Sequence, residues 1–102
     1  MTTKAVQDVL AERQRQIDVE GFTIASDHAN NGEGDLAAAG SSYALSAACA
    51  LDPRANALDE PPYAWPWEEK WWKPTTPRRD LVKAAALMIA AIESIDREVD
   101  QL

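Results

Sequence analysis

The alternation of apolar and polar positions divides the chain into helical stretches separated by irregular segments. Residues 3–19 carry apolar side chains at helical spacing, which predicts a first helix capped by Thr2 or Thr3. The apolar stripe of this helix consists of Val6, Leu10 and Ile17, with Val9 beside it. Arg13 falls on the same stripe, and the predicted solvent side holds Glu12, Arg15, Gln16 and Asp18.

A second helix is predicted over residues 33–51, after a polar loop at residues 20–34. The loop contains an Asn-Asn-Gly turn signal and is longer than most connections, which is typical of functional loops. Asn31 is the expected cap, and Pro53 follows the end of the helix. Most of its side chains are small, so this helix should lie close to its neighbours on several sides.

The third helix has the clearest start, with Thr76 as the cap and Pro77 at the first helical position. It continues to Asp100 with a seam at 4-3-4-3-4 spacing that consists of Leu81, Ala85, Met88, Ile92, Ile95 and Val99. Val82 and Ile89 begin a second apolar face. Two apolar faces predict that this helix contacts both its own core and another subunit.

Residues 52–76 form a connector in which five prolines exclude a long helix, with a short turn expected at residues 68–72. No strand pattern is present. The pattern therefore predicts a single all-α domain over residues 1–102, built of three principal helices and a connector rich in proline and tryptophan, and oligomeric through the C-terminal helix.

Charge and cysteine content limit the classes of partner and the compartment. The net charge is −7, from 17 acidic and 10 basic residues, so no continuous basic stripe is available for DNA or RNA. The single cysteine, Cys49, lies in an apolar helix and is expected to be a buried, inert thiol. The N-terminus shows no apolar signal segment, and no stretch is long enough for a membrane helix. These features predict a cytoplasmic protein.

All four tryptophans of the chain lie in the connector segment YAWPWEEKWWKP, next to a basic cluster. The cluster consists of Lys73, Arg78 and Arg79, at or near the N-terminus of the third helix, where free N–H groups and arginines together suit a phosphate. Salt bridges to Glu68, Glu69 or acids of the first helix are the alternative. The tryptophans either pack as a lid over the alanine-rich helices or stack a purine base, with Trp67 or Trp72 facing the ligand.

Three further residues stand out against their surroundings. Arg13 on an apolar stripe either extends to solvent, pairs with a buried acid such as Asp80, or points at a ligand. Tyr43 is large on a helix of small residues and is expected to line the same cavity. His28 is the only histidine and is assigned to a surface or loop-fixing role.

Both ends of the chain resemble small phage and prophage proteins related to the MazG-like nucleotide pyrophosphohydrolases. The resemblance lies in AERQRQ at residues 11–16, followed by EGF, and in DLVKAAALMIAAIESIDR at residues 80–97. It implies an all-α, oligomeric fold that hydrolyses nucleoside triphosphates with Mg²⁺ held by Glu and Asp at E-x-x-E and E-x-x-D spacings. Carboxylates three residues apart share a helical face and converge on one cation.

The metal motif that this resemblance implies is degraded here. Glu33 and Asp35 are two residues apart, and Ala38 stands where the next acid is expected. Asp80 occupies the position of a family Glu, but Lys83 follows where an acid or Gln is expected. The metal set for a working enzyme is therefore Glu12, Glu33, Asp35 and Asp80, or alternatively Glu12, Asp27, His28 and Asp35 converging from different elements.

The leading functional hypothesis is a phage-type protein that binds and sequesters a nucleotide or nucleotide-derived signal without turnover and without a cofactor, as a counter-defence sponge. Its ligand residues are predicted to be Arg13, Tyr43, Trp67, Trp72, Lys73, Arg78 and Arg79. One alternative is a Mg²⁺-dependent pyrophosphohydrolase. The other is an accessory factor whose acidic surface binds a host protein.

Overall fold

The computed structural model describes residues 2–20 and 33–100, and those residues form helices and connecting coil without any strand. Helix α1 spans Lys4–Glu20, α2 spans Glu33–Leu51 and α3 spans Pro77–Asp100. A short 3₁₀ turn at Glu69–Trp71 lies in the connector between α2 and α3. The all-α class and the three principal helices predicted from the sequence are confirmed.

Threonine side chains cap two of the helices at the predicted positions. The Thr3 hydroxyl accepts a hydrogen bond of 3.2 Å from the Val6 N–H at the start of α1. At the start of α3, the Thr76 hydroxyl accepts a bond of 3.2 Å from the Arg79 N–H. The cap predicted for α2, Asn31, lies outside the described residues.

Helix α3 is the central element of the fold. Within the part of the chain that the structure describes, both α1 and α2 pack against α3 but make almost no contact with each other. This arrangement follows from the sequence because α3 has small and apolar side chains on the side that α2 meets, and the charged side chains Arg79 and Glu93 on the side that α1 meets. The molecule is accordingly thin, with extents of 47 × 36 × 23 Å.

The contact between α2 and α3 is close because small residues form it. A Cβ atom at Gly40 would lie 3.0 Å from Met88 Cε, 3.1 Å from the Ala84 carbonyl oxygen and 3.4 Å from Leu87 Cβ. The buried core cluster continues along both helices and consists of Leu36, Ala39, Tyr43, Ala84, Leu87, Ala90 and Ala91. Small side chains bury little area each, so close approach supplies much of the packing energy.

The contact between α1 and α3 contradicts the amphipathic prediction for α1. Half of the predicted apolar stripe is outside, since Val6 is 44% and Leu10 54% exposed, whereas Val9 and Ile17 are half-buried. The polar side chains Glu12, Arg13 and Gln16 are buried instead. The hydropathy pattern predicted the wrong buried side for α1 because the surface of α3 that α1 meets is itself charged. Buried polar groups are tolerated when they pair with one another.

The connector covers the core with its aromatic side chains. Trp65, Trp67 and Trp72 are half-buried and pack against the core cluster. The Trp65 indole N–H donates a hydrogen bond of 3.1 Å to the Glu68 carbonyl oxygen, which fixes the segment just before the 3₁₀ turn. The sequence left open whether the tryptophans pack as a lid over the helices or stack a purine base. Three of the four tryptophans, Trp65, Trp67 and Trp72, pack as a lid over the core.

The structure also bears on the burial of the Cys49 thiol and on whether a helix could cross a membrane. Cys49 on α2 is half-buried rather than fully buried. Among the described residues, none of the helices has the length and apolarity that crossing a membrane requires.

The Gly40→Ala substitution is predicted to destabilise the protein. Alanine improves helix propensity by about 1 kcal/mol, but its methyl group would collide with the Ala84 backbone, and overpacking costs about 1–3 kcal/mol. We expect a net loss of about 1 kcal/mol, which lowers Tm by roughly 4–8 °C in thermal denaturation. Gly34→Ala is the matched control, because a Cβ there meets no atom within 4 Å. A Tm that rises in both variants would contradict the close contact.

Candidate functional site

A cleft of about 1250 Å³ opens between the lid and one side of the helical layer. All three helices and the connector contribute to it. The side chains that line it are Glu12, Arg15, Gln16, Val19, Tyr43, Trp65, Pro66, Trp67, Glu68, Trp71, Lys73, Arg79, Lys83 and Leu87. Polar and charged groups come mainly from α1 and α3, and aromatic rings come mainly from the connector, so the cleft has two chemically different walls.

The carboxylate of Glu12 organises the polar wall. Its side chain is 1% exposed and accepts two hydrogen bonds of 2.8 Å from Arg15, one to each carboxylate oxygen. Gln16 Nε2 donates a further bond of 3.1 Å, and Arg79 Nη2 on α3 donates to Oε1. One buried anion on α1 thus orients two guanidinium groups that are each partly open to the cleft.

The ionisation of Glu12 follows from this network. Burial by itself raises the pKa of the carboxyl group, but the hydrogen bonds and charge of Arg15, the charge of Arg79 and the hydrogen bond from Gln16 outweigh burial. The net pKa lies below its ordinary value, so Glu12 is ionised at neutral pH. An ionised Glu12 holds Arg15 and Arg79 in place and does not act as a proton donor.

Gln16 presents a buried acceptor beside this carboxylate. Its Oε1 atom has no hydrogen-bond partner among the described residues. Exchanging the two amide atoms would place the oxygen against the Glu12 carboxylate, so Glu12 fixes the amide orientation. Leaving a buried acceptor unpaired costs about 1–3 kcal/mol, and such groups often mark functional positions.

Lys83 adds a partly desolvated cation to the wall. Its Nζ atom donates a hydrogen bond of 2.8 Å to the Lys73 carbonyl oxygen and lies 5.2 Å from the centre of the Tyr43 ring. Burial lowers the pKa of Lys83, Arg79 lowers it further, and the charge of Asp80 opposes both effects. An anion bound nearby would therefore stabilise the charged form of Lys83.

The aromatic wall is a connected cluster of rings. Trp72 stacks on Tyr43 with ring centres 4.9 Å apart, and Trp65 meets both rings edge-on at 5.0 and 5.6 Å. Trp67 continues the cluster, with its ring centre 5.3 Å from that of Trp65. These mutual contacts hold the lid rigid without help from a ligand.

Trp71 differs from the other tryptophans because it lines the cleft and is 55% exposed. The ammonium groups of Lys70 and Lys73 lie 5.3 and 5.8 Å from its ring centre. A large ring flanked by two cations and open to solvent is suited to stacking a planar, negatively charged molecule.

The structure brings together four of the seven ligand residues predicted from the sequence. Tyr43, Trp67, Lys73 and Arg79 all line the cleft. Trp72 lies behind them, stacked on Tyr43 and packed against the core.

Arg13 and Arg78 lie outside the cleft lining and have ion-pair partners elsewhere. Arg13 is buried, and its Nε donates a bond of 2.8 Å to Glu93 on α3, rather than pairing with Asp80. Arg78 Nη1 lies 2.9 Å from the Asp8 carboxylate on α1. Asp80 accepts a bond of 2.8 Å from the Thr75 N–H and so serves the start of α3.

Among the cleft residues that were not proposed as ligand residues from the sequence, Arg15, Gln16, Trp71 and Lys83 have the chemistry to contact a ligand. A usable signal was present for two of them, because Arg15 and Gln16 follow Glu12 at the i,i+3 and i,i+4 positions of one helix. No comparable pattern distinguishes Trp71 from its neighbour Trp72.

The acids proposed for a metal site do not converge within the described residues. No group of three or more His, Cys, Asp and Glu side chains lies together in that part of the chain. Glu12 is in the arginine network, and Asp80 accepts the Thr75 bond described above. Asp27 and His28 lie outside the described residues, as does the side chain of Glu33. Asp35 is half-buried on α2.

Comparison of the chain with protein-family models, with curated proteins and with solved structures found no match. The chemistry of the cleft is therefore the basis for any functional proposal.

The Glu12→Gln substitution is predicted to destabilise the protein in a pH-dependent way. The amide keeps the shape but removes the charge that Arg15 and Arg79 need, so we expect a loss of about 2 kcal/mol in urea unfolding at neutral pH. Because the pKa of Glu12 is lowered in the folded state, its contribution is complete above the ordinary value of 4.5 and is lost as the pH falls below it.

The difference in unfolding free energy between wild type and Glu12→Gln should therefore shrink as the solution is acidified. Asp52→Asn is the control, because the Asp52–Arg54 pair is local and exposed and should contribute little. An equal effect of the two substitutions, or a Glu12→Gln deficit that does not change with pH, would contradict the buried network.

Proposed function

We propose that the cleft binds a nucleotide or nucleotide-derived phosphate compound. The observation that carries this proposal is the charge of the cleft. Four cationic side chains line it against two acidic ones, namely Arg15, Lys73, Arg79 and Lys83 against Glu12 and Glu68. The whole chain has a net charge of −7, so a locally positive cleft is not a consequence of composition.

The cations are suited to phosphate recognition. Arg79 lies in the first turn of α3, where the helix dipole also favours negative charge, and Lys83 lies one turn later. The Arg79 backbone N–H already donates its hydrogen bond to the Thr76 hydroxyl. The cationic side chains, rather than this N–H group, would therefore contact the phosphate. Glu12 fixes the guanidinium planes in advance, which reduces the entropy lost when an anion binds.

The aromatic wall is suited to the planar part of the same ligand. Trp71 presents an accessible ring, and Trp67 also lines the cleft. Stacking of a base on an aromatic side chain contributes about 1–3 kcal/mol and tolerates different bases. Cations on one wall and rings on the other favour a ligand that carries both a phosphate and a base.

We further propose that binding occurs without turnover. This fits the ion-paired state of Glu12 and the dispersed acids among the described residues. The biological form of this proposal is sequestration of a nucleotide signal by a phage-type protein in a host cytoplasm. This role rests on analogy with small phage sponge proteins, since the MazG-like resemblance by itself implies hydrolysis.

The test is isothermal titration calorimetry of the full chain against ATP, GTP, cyclic dinucleotides and ADP-ribose, with and without Mg²⁺. We expect one of these probes to bind, to be recovered unchanged and to need no Mg²⁺. A requirement for Mg²⁺ together with appearance of a monophosphate would replace the proposal with the pyrophosphohydrolase alternative. If none of the probes binds, the nucleotide proposal is wrong and the protein-binding alternative stands.

Two neighbouring arginines provide a matched pair of variants for the binding test. Arg79→Ala should raise Kd at least about tenfold, which corresponds to about 1.4 kcal/mol, because the guanidinium lines the cleft. Arg78→Ala should change Kd less than about twofold, because Arg78 pairs with Asp8 outside the cleft. Equal effects of the two substitutions would show that nucleotides bind elsewhere.

Trp71→Ala tests the aromatic wall separately. The side chain is more than half exposed, so the fold should tolerate its loss. We expect Kd for the same probe to rise about tenfold, as removal of a stacking platform predicts. Tyr63→Ala, at a fully exposed position of the connector outside the cleft lining, is the control. Unchanged affinity in Trp71→Ala would exclude stacking on this ring.

A further inference from the structure

The side of α3 that faces away from the cleft is an exposed apolar stripe. Leu81, Ile92 and Ile95 are 45%, 57% and 48% exposed. Ala85 and Met88 lie between them and are half-buried. At 1.5 Å per residue, the stripe from Leu81 to Ile95 is about 21 Å long.

Helix geometry places this stripe opposite the candidate site. Each residue advances about 100° around the helix axis, so Lys83, which lines the cleft, lies about 200° from Leu81. Helix α2 contacts Ala84 and Leu87 on one flank of α3. Helix α1 contacts Arg79 and Glu93 on the other flank. The stripe is therefore the part of the circumference that neither neighbour covers, except at Met88, whose Cε atom also packs beside Gly40 of α2.

On α1, the exposed apolar side chains Val6 and Leu10 share a stripe with Arg13. The Arg13 guanidinium reaches Glu93 on the flank of α3. Apolar exposure is therefore not confined to α3, and exposed apolar side chains grouped in this way are typical of an interaction face.

The charges beside the stripe show which partner it fits. Arg78 and Asp96 are both exposed and lie 18 residues apart, which is five full turns, so they occupy the same flank of α3. Arg78 pairs with Asp8 of its own chain, but its side chain stays 57% exposed and can contact a second acid. One is basic and lies near the start of the stripe, and the other is acidic and lies near its end. A second copy of α3 running in the opposite direction would place Arg78 of each copy close to Asp96 of the other.

We propose that this face is the interface of a two-fold symmetric homodimer, in which the α3 helices of two copies pair antiparallel about Met88. The 4-3-4-3 spacing makes the stripe complementary to itself, and residue Leu81 of one copy then opposes Ile95 of the other. The sequence analysis expected self-association through this helix. The structure assigns the face, the direction and the register.

Sedimentation equilibrium of the full chain tests the association. Wild type should have twice the chain mass of 11.2 kDa. Ile92→Glu should raise the dimer dissociation constant at least about 100-fold, since it buries a charge within the interface. Leu45→Glu is the control, because Leu45 is similarly exposed at 47% but lies on α2. A monomeric wild type, or equal effects of both substitutions, would overturn the proposal.

Disulfide crosslinking tests the direction in a Cys49→Ser background. Leu81→Cys mixed with Ile95→Cys should give a crosslinked heterodimer, whereas each variant alone should not crosslink. Self-crosslinking of Leu81→Cys would indicate parallel helices and overturn the antiparallel register.

The charged pair provides a second check of direction. Asp96→Arg should weaken the dimer by bringing two cations together, and the double variant Arg78→Gln/Asp96→Arg should restore it by relieving that repulsion. Arg78→Gln alone is the control for loss of the Asp8 pair. Failure of the double variant to restore association, with helical content unchanged by circular dichroism, would contradict the paired charges.

Discussion

The buried carboxylate of Glu12 is the interaction on which the arrangement of α1 depends. Through Arg79 it joins α1 to the first turn of α3, and through Arg15 and Gln16 it orients the rest of its own helical face. An anion buried to this extent is tolerated only when its hydrogen bonds are satisfied. Because the polar face of α1 packs against α3, the apolar side chains Val6 and Leu10 are exposed, and the guanidinium groups of Arg15 and Arg79 lie at the edge of the cleft.

This constraint gives the molecule two chemically different sides. On one side, the lid of Trp65, Trp67 and Trp72 meets the cations held by Glu12, which produces an aromatic and positively charged cleft. On the other side, the outward stripe of α3 remains apolar. The nucleotide proposal depends on the first side and the dimer proposal on the second, so each can fail without the other.

Local signals were sufficient for the helices and for part of the site. Thr76 followed by Pro77 marks the start of α3 in any context, and the prolines of the connector limit α2. The side of α1 that is buried could not be predicted, because hydropathy assigns Glu12 to solvent and the charged surface that receives it is formed 67 residues away. Arg78 and Arg79 are indistinguishable in sequence, and only the crossing of α1 over α3 decides which one enters the cleft.

The most direct test of this account is a double-mutant cycle on the Glu12–Arg79 pair, followed by urea unfolding at neutral pH. Glu12→Gln, Arg79→Gln and the double variant are compared with wild type, which isolates the interaction from the separate effects of each residue. The account predicts a coupling free energy above about 1 kcal/mol, because the carboxylate is buried and the pair joins two helices. Additive effects of the two substitutions would show that α1 is held by other contacts and would contradict the central role of Glu12.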